Sequence, residues 1–414
     1  MERFSDRAVR TGAALLLAGA LAPRALALDC DPAGAGLKLP EGFCALVVGE
    51  ELGRVRNLVV APNGDLFVAL RAEESGVLAL RDADGDGRAE VRHRFGPGGG
   101  HGIALTATHL YFGQDDRVLR WAWRPGQLEP EGEAETVARG LGSNQEHEAT
   151  ALALGPEGAL YASIGAPSNS CQQQNRAPKS PGQDPCPQLA DHAGVWRFAA
   201  DGRDQEPSPE TRFATGLRNA LALGVEPASG ALFAVVHGRD LLGANWGYSD
   251  ERNAELPAEE LFQVRRGDDL GWPTCYYDGT LQRKVLAPEY GGDGTRVGRC
   301  AEKRQPDLVF PAHWAPMAIA FYGGEQFPAR YRGGAFVAFR GSWNRAPLPQ
   351  EGYRVAFVPF AGGAPAGGFE TFAIGAEDPT SVRVTGVAVG PEGSLYVADE
   401  KSGRIWRVMV RAPR

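Results

Sequence analysis

Histidine and arginine recur at one kind of place in this chain. The residues immediately before six short apolar phrases read Arg54-Val55-Arg56, His101, His147, Leu217-Arg218, His313 and Arg383. Imidazole exchanges protons near neutrality, and guanidinium grips carboxylates and phosphates through paired N–H groups. Gathered around one opening, these side chains would hold an anionic ligand with an acid-base group over it. Two further patterns could bind a hard cation. One is His237-Gly238-Arg239-Asp240, which follows the fourth apolar phrase and offers backbone carbonyls. The other is the stretch 82–90, DADGDGRAE, with Asp82, Asp84 and Asp86 at alternate positions before Gly87, as in a calcium loop. There, His93 stands at the twelfth position, where that loop type carries its bidentate glutamate.

Convergence requires a scaffold, and the apolar phrases supply it. They span 57–70, 102–113, 149–165, 219–238, 316–339 and 385–399, and each reads as two short strands around a tight turn, with apolar residues at period two. Each is followed by a third alternating phrase: GVLALRD, RVLRWAW, GVWRF, ELFQVRR, GYRVAF and GRIWRV. A unit this small cannot bury both of its faces, so six copies must pack on one another. The fold class is therefore all-β, a six-bladed β-propeller with long inter-strand insertions. The spacing between copies grows from 45 residues (Asn57 to Gly102) to 97 (Asn219 to Pro316), which argues against an open solenoid of constant coils. An extra strand at 39–48 is expected to close the ring against the last blade and cover its edge.

In a propeller the first strand of each blade runs beside the central channel, so the six basic positions would meet at one mouth. The insertions 166–193, 239–258 and 276–312 are long enough to wall it. If His147 already lies in strand, Glu146 and Glu148 point to the face opposite its imidazole, and the ring titrates near the ordinary ~6.5.

The remaining composition narrows the class. Residues 1–27 read as a secretory signal peptide: arginines, an apolar run too short to span a bilayer, then a small-x-small site before Leu28. Residues 28–414 form the propeller, and the protein is exported to the periplasm or secreted. The 6 cysteines make an even set, and short loop closure favours the pairs Cys30–Cys44, Cys171–Cys186 and Cys275–Cys300. A net charge of -8, scattered along the chain, argues against a nucleic-acid partner. No apolar stretch approaches a membrane span.

The phrases GLRNALAL, HGRD, DLGWPTC, RGSWNR and GVAVGPEGSLYVAD, in this order, resemble those of the soluble pyrroloquinoline-quinone (PQQ)-dependent glucose and sorbosone dehydrogenases, with the sorbosone branch nearest. The resemblance covers nearly all of the chain after residue 27. It implies PQQ and calcium at the channel mouth, a sugar or aldehyde substrate above them, and an external electron acceptor. It assigns His147 as the base and Arg218 as its helper. Asn219 and Arg383 contact the cofactor, with His101, Asn344 and Arg345 near it. The carbonyls of Gly238 and Arg239 are the calcium ligands.

Three departures stand out. Ala166 replaces an aspartate that orients the base, Asn344 replaces a lysine, and Arg239 replaces a proline. Without the aspartate the base is expected to be poorly oriented, and Ala166→Asp to raise activity or shift its pH optimum upward. Two rival classes are a calcium-dependent propeller lactonase, which needs acidic and amide groups around a metal on the channel axis, and a non-enzymatic propeller that binds a partner or glycan.

Overall fold

The computed structural model describes residue 1 and residues 28–71, 74–142 and 146–411. The signal-peptide reading of 1–27 falls almost wholly outside the described residues.

Six antiparallel sheets of the expected kind are present. Blade one is built from Val55–Val60, Leu66–Leu70, Ser75–Arg81 and Val91–Pro97. Blade two comprises Gly100–Leu105, His109–Gln114, Arg117–Ala122 and Glu135–Arg139, and blade three Leu152–Leu154, Ala159–Ile164, Gly194–Ala199 and Arg212–Thr215. Blade four contains Ala222–Val225, Leu232–Val236, Glu259–Val264 and Leu308–Phe310. Blade five holds Pro316–Phe321, Ala335–Phe339, Arg354–Val358 and Glu370–Gly375. In blade six, Val384–Val389, Leu395–Asp399 and Arg404–Val410 are joined by the N-terminal strand Phe43–Gly49, in register Phe43 with Val410 and Ala45 with Val408. That pairing closes the ring as expected. A two-residue strand, Leu37–Lys38, also covers the outer edge of blade five, which the sequence did not signal.

The apolar alternation explains why the blades need each other. Six buried clusters sit at the six blade-to-blade interfaces. The one between blades five and six is aromatic, with Phe43, Phe327, Tyr331, Phe336 and Phe372 packed mostly edge to face. Each such ring contributes roughly 1.5–3 kcal/mol when removed from water, so blade contacts, and not single hairpins, carry the fold.

The channel is filled at its centre. Ala149, Leu221 and Met317, from blades three, four and five, touch one another. His101 of blade two reaches across to the carbonyls of Leu221 and Met317. The ring thus has a floor, and the inner-strand starts form a cup above it.

The three disulfides pair as expected: Cys30–Cys44, Cys171–Cys186 and Cys275–Cys300. The three insertions do build one wall. Lys179 Nζ donates to Trp246 O, Tyr290 OH to Ser170 O, and Arg299 pairs with Asp184.

Candidate active site at the channel mouth

A cavity of about 180 Å³ opens above the floor. His147, Arg218, Gly238, His313 and Asn344 line it, as the sequence indicated, together with Arg176, His237, Asp240, Glu259, Ala315 and Trp343.

His147 precedes the inner strand of blade three and lies in irregular backbone, so strand alternation does not apply to its neighbours. Glu146 turns to Arg176 and Glu148 to Arg71. The imidazole Nδ1 lies 2.6 Å from Ala166 O. A carbonyl can only accept, so Nδ1 carries the proton and Nε2 keeps its lone pair. The backbone that leaves strand Ala159–Ile164 and carries Ala166 approaches this closely because Gly165 precedes it; a Cβ there would lie 2.3 Å from His147 O. Burial, then the charge of Arg218, hold the ring well below the ordinary 6.5. It is neutral at pH 7, the state a general base requires.

Two more imidazoles are fixed the same way. His237 Nε2 donates to Pro316 O (2.6 Å) and His313 Nε2 to Asn253 O (2.8 Å). Burial, and secondarily Arg218, push His237 down to about 4, and burial lowers His313.

Arg218 is the hub of the cup. Its Nε donates to Asn169 O at 3.1 Å, Nη1 to Gly238 O at 2.8 Å, and Nη2 to both Asn169 Oδ1 and Asp240 Oδ2 at 2.9 Å. Although burial opposes it, the charges of Arg218, His313 and Arg176 hold the Asp240 carboxyl down at about 2. Asn169 completes the knot: its Oδ1 accepts from Asp240 N, its Nδ2 donates to Asp240 O, and its carbonyl accepts from Trp272 Nε1. The sequence pointed to the insertion containing Asn169 but not to the residue.

Glu259 was also missed. It lies on the third strand of blade four, and burial pushes its carboxyl up to about 8. Its two oxygens accept from Gly238 N (2.7 Å) and Ala315 N (3.0 Å). It clamps the His-Gly-Arg-Asp turn to a bend in which His313 and Ala315 both have positive φ, of 64° and 58°. Left-handed backbone costs such residues about 1–2 kcal/mol each, and here it frames the cavity wall.

Several expected site residues lie elsewhere. His101 is in the channel floor, bonded to two carbonyls. Arg345 is buried against Ala254 O and Pro349 O, a loop anchor and not a cavity donor. Arg239 turns its side chain away from the cavity, to Glu289. Asn219 is buried and receives His237 N–H on its carbonyl. Arg383 is half-buried outside the cavity lining, its N–H held by Asp399. Arg56 is bonded to Glu400, which also binds Arg340. The mouth is therefore a lattice of ion pairs and not a funnel of bare cations, because a guanidinium buried alone would bear a large desolvation cost.

The acidic loop lies on the opposite face of the ring, where the third strand of blade one turns back into the fourth. Asp82, Asp84 and Asp86 are joined there by Glu90, at position nine, and the four offer oxygens within 4.8 Å of one another. Asp82 accepts from Gly85 N and Gly87 N. No helix among the described residues is long and apolar enough to cross a membrane.

Comparison with known proteins places this architecture. The solved calcium structure of a Trichoderma reesei carbohydrate-active enzyme of family AA12 superposes with TM-score 0.75 at 19% identity, covering 94% of this chain and all of that one. The holo PQQ domain of Coprinopsis cinerea pyranose dehydrogenase gives 0.72 at 18%, over 90% of this chain and 97% of that one. PQQ-bound aldose sugar dehydrogenase from Streptomyces coelicolor gives 0.59 at 22%, over 90% and 100%. At these identities the likeness is one of fold. A curated relative, an uncharacterized protein of Borreliella burgdorferi, is 26% identical over 201 residues, 47% of this chain, and the match spans about half (48%) of that relative's length. A family model described as TrAA12-like matches residues 37–411, and the chain belongs to that family.

Proposed function

We propose that this protein is a PQQ-dependent oxidoreductase that oxidises a sugar or related aldehyde, with calcium beside the quinone and an external electron acceptor. One observation carries the reading: a neutral imidazole at the cavity wall, His147, whose Nδ1–H is fixed by Ala166 O and whose Nε2 is left to take a proton.

The donor set fits a polyanionic quinone with a hard cation. Arg218 and Asn344 line the cavity and would hold the quinone's oxygens, and the Gly238 carbonyl with the Asp240 carboxylate supplies oxygen ligands of the kind calcium takes. Bound there, the quinone supplies a hydride acceptor. His147 takes the substrate hydroxyl proton at Nε2, Arg218 sets the positive potential beside it, and Glu259 keeps the Gly238 turn in place. The channel floor is formed by Ala149, Leu221 and Met317 with the buried His101, where the lactonase alternative needs acidic and amide groups around a metal on the axis, and this weighs against that alternative. Three disulfides support assembly in an oxidising compartment, and hence export.

The test is reconstitution. Purified protein is given PQQ and calcium, and dye reduction is followed across sugars and open-chain aldehydes. Quinone- and calcium-dependent oxidation of at least one of them is expected. No turnover with any, together with no quinone binding, would leave the partner- or glycan-binding propeller.

A further inference from the structure

The turn from Gly238 to Asp240, which carries the proposed calcium ligands, has little stiffness of its own. A Cβ at Gly238 would lie 2.7 Å from Pro257 Cγ, so glycine is required there, and glycine leaves the backbone least constrained. Glu259 and Asn169 hold the N–H groups of Gly238 and Asp240. A further hold comes from outside the cavity. Arg239 is buried, and its Nε and Nη2 both donate to Asp240 O, at 3.3 and 3.1 Å, beside the Asn169 Nδ2 already on that carbonyl. Its Nη1 pairs with Glu289, which is buried as well. The second carboxylate oxygen of Glu289 accepts from Trp246 Nε1 at 2.8 Å, and its main-chain oxygen accepts from Gly182 N at 3.0 Å. Gly182, Trp246 and Glu289 belong to three different insertions. One residue thus gathers all three and ties them to the turn.

A buried ion pair is a weak stabiliser, because desolvation of the two charges offsets their attraction. What this one supplies is aim. A guanidinium fork fixes two directions at once, one edge on Asp240 O and the remaining nitrogen on Glu289, which a flexible ammonium cannot do. Neither residue lines the cavity. We propose that Arg239 and Glu289 are positioning residues: the pair fixes the main chain of the turn, aims the Gly238 carbonyl and the Asp240 carboxylate, and so sets the affinity of the mouth for calcium and, through calcium, for the quinone. Groups that orient metal ligands without touching the metal change its affinity typically 10- to 100-fold. This rests on the oxidoreductase reading above and assigns the residues outside the cavity that tune it.

The experiment compares wild type, Arg239→Lys, and a double variant with Arg239→Met and Glu289→Gln. Arg239→Lys keeps a charge beside Glu289 and loses the fork on Asp240 O. The double variant removes both charges together, so none is left buried without a partner, and Glu289→Gln keeps an oxygen for Trp246 Nε1. Protein freed of calcium and quinone is titrated with PQQ at a series of calcium concentrations, with binding read from the quinone absorbance. That readout reports the cation beside the quinone and not one held in the 82–90 loop. Both variants should need roughly tenfold more calcium for half-maximal quinone binding. Quinone capacity at saturating calcium should equal that of wild type, and the calcium-free proteins should melt within a few degrees of it.

An unchanged calcium requirement in both variants would overturn the proposal. So would a loss confined to the double variant, which would show that the fork on Asp240 O aims nothing. A fall in quinone capacity that saturating calcium does not restore would do the same, since it marks a collapsed wall and not a misaimed turn. If wild type binds no quinone at any calcium concentration, the underlying reading fails and takes this one with it; if wild type binds and the variants match it, only the positioning role falls.

Discussion

The main-chain oxygen of Ala166 accepts the Nδ1 proton of His147 at 2.6 Å, and the Ala166 N–H donates to Arg218 O at 2.7 Å. One residue without a functional side chain thereby ties the candidate base to the main chain of Arg218. The sequence comparison with aspartate-bearing relatives implied an unoriented histidine; the backbone performs the orientation instead.

That changes the expected outcome of Ala166→Asp. Ala166 is fully buried in an apolar cluster with Cys171, Ala193 and Trp272. A carboxylate placed among these apolar side chains loses its hydration, a cost on the order of 3 kcal/mol. The variant should melt earlier than wild type and show no gain in rate. Thermal unfolding with parallel dye-reduction assays checks this, and a faster, equally stable variant would show that the carbonyl is a poor substitute.

What the chain revealed and what it hid divide by sequence distance. Strand alternation and turn residues act over a few positions, so all six blades, the closing strand and the disulfide pairs were legible. His147, Arg218, Gly238 and Asn344 were found because they flank those phrases. Asn169 was hidden: its bonds to Arg218, Asp240 and Trp272 span 49, 71 and 103 residues, and nothing in an insertion's composition marks such a contact. The carboxylates that neutralise the mouth had a fainter signal. Glu400 and Asp240 each follow a blade's second strand, which runs antiparallel to the first and so ends at the same face. Reading the starts of first strands against the ends of second strands would have paired them.

Arg218→Ala should be destabilising, contrary to what a solvent-lined position would imply. The side chain is buried, makes four hydrogen bonds and is the nearest countercharge of Asp240. Removing one partner of a buried pair costs about 3–5 kcal/mol. Urea unfolding should show that loss. Arg218→Ala with Asp240→Asn should recover part of it, because the uncompensated charge is then gone; no recovery would mean that Arg218 acts chiefly through Asn169.

Asn169→Ala separates positioning from chemistry. The side chain touches Arg218 and Asp240 but does not line the cavity, so its loss frees both charged groups without removing either. Stability should fall by about 1–3 kcal/mol, the usual scale for leaving buried polar groups unpaired. Activity should fall with it, while the pH profile set by His147 stays in place. A shifted profile would mean that Asn169 tunes the base directly.

His147→Ala tests the base itself. Loss of a general base typically slows turnover a hundred- to ten-thousand-fold, whereas Arg218, Asn344 and the Gly238 carbonyl remain to bind the quinone. Cofactor affinity should therefore survive. The pH dependence follows from the lowered ring. Neutral imidazole is the active form, so the rate climbs with pH through the folded-state pKa and is flat above it. Burial and Arg218 place that pKa well below 6.5, so the plateau should extend into mildly acid solution. The same shift acts on stability with the same sign. The unfolded chain binds the proton more tightly, so the contribution of His147 is complete above its unfolded value, near 6.5, and is lost as pH falls toward the folded value. Single-turnover reduction of bound quinone measured from acid to neutral pH, beside acid unfolding of the same proteins, reads both. An acid limb centred at or above 6.5 in wild type, or one that persists in His147→Ala, would remove the base role from this histidine.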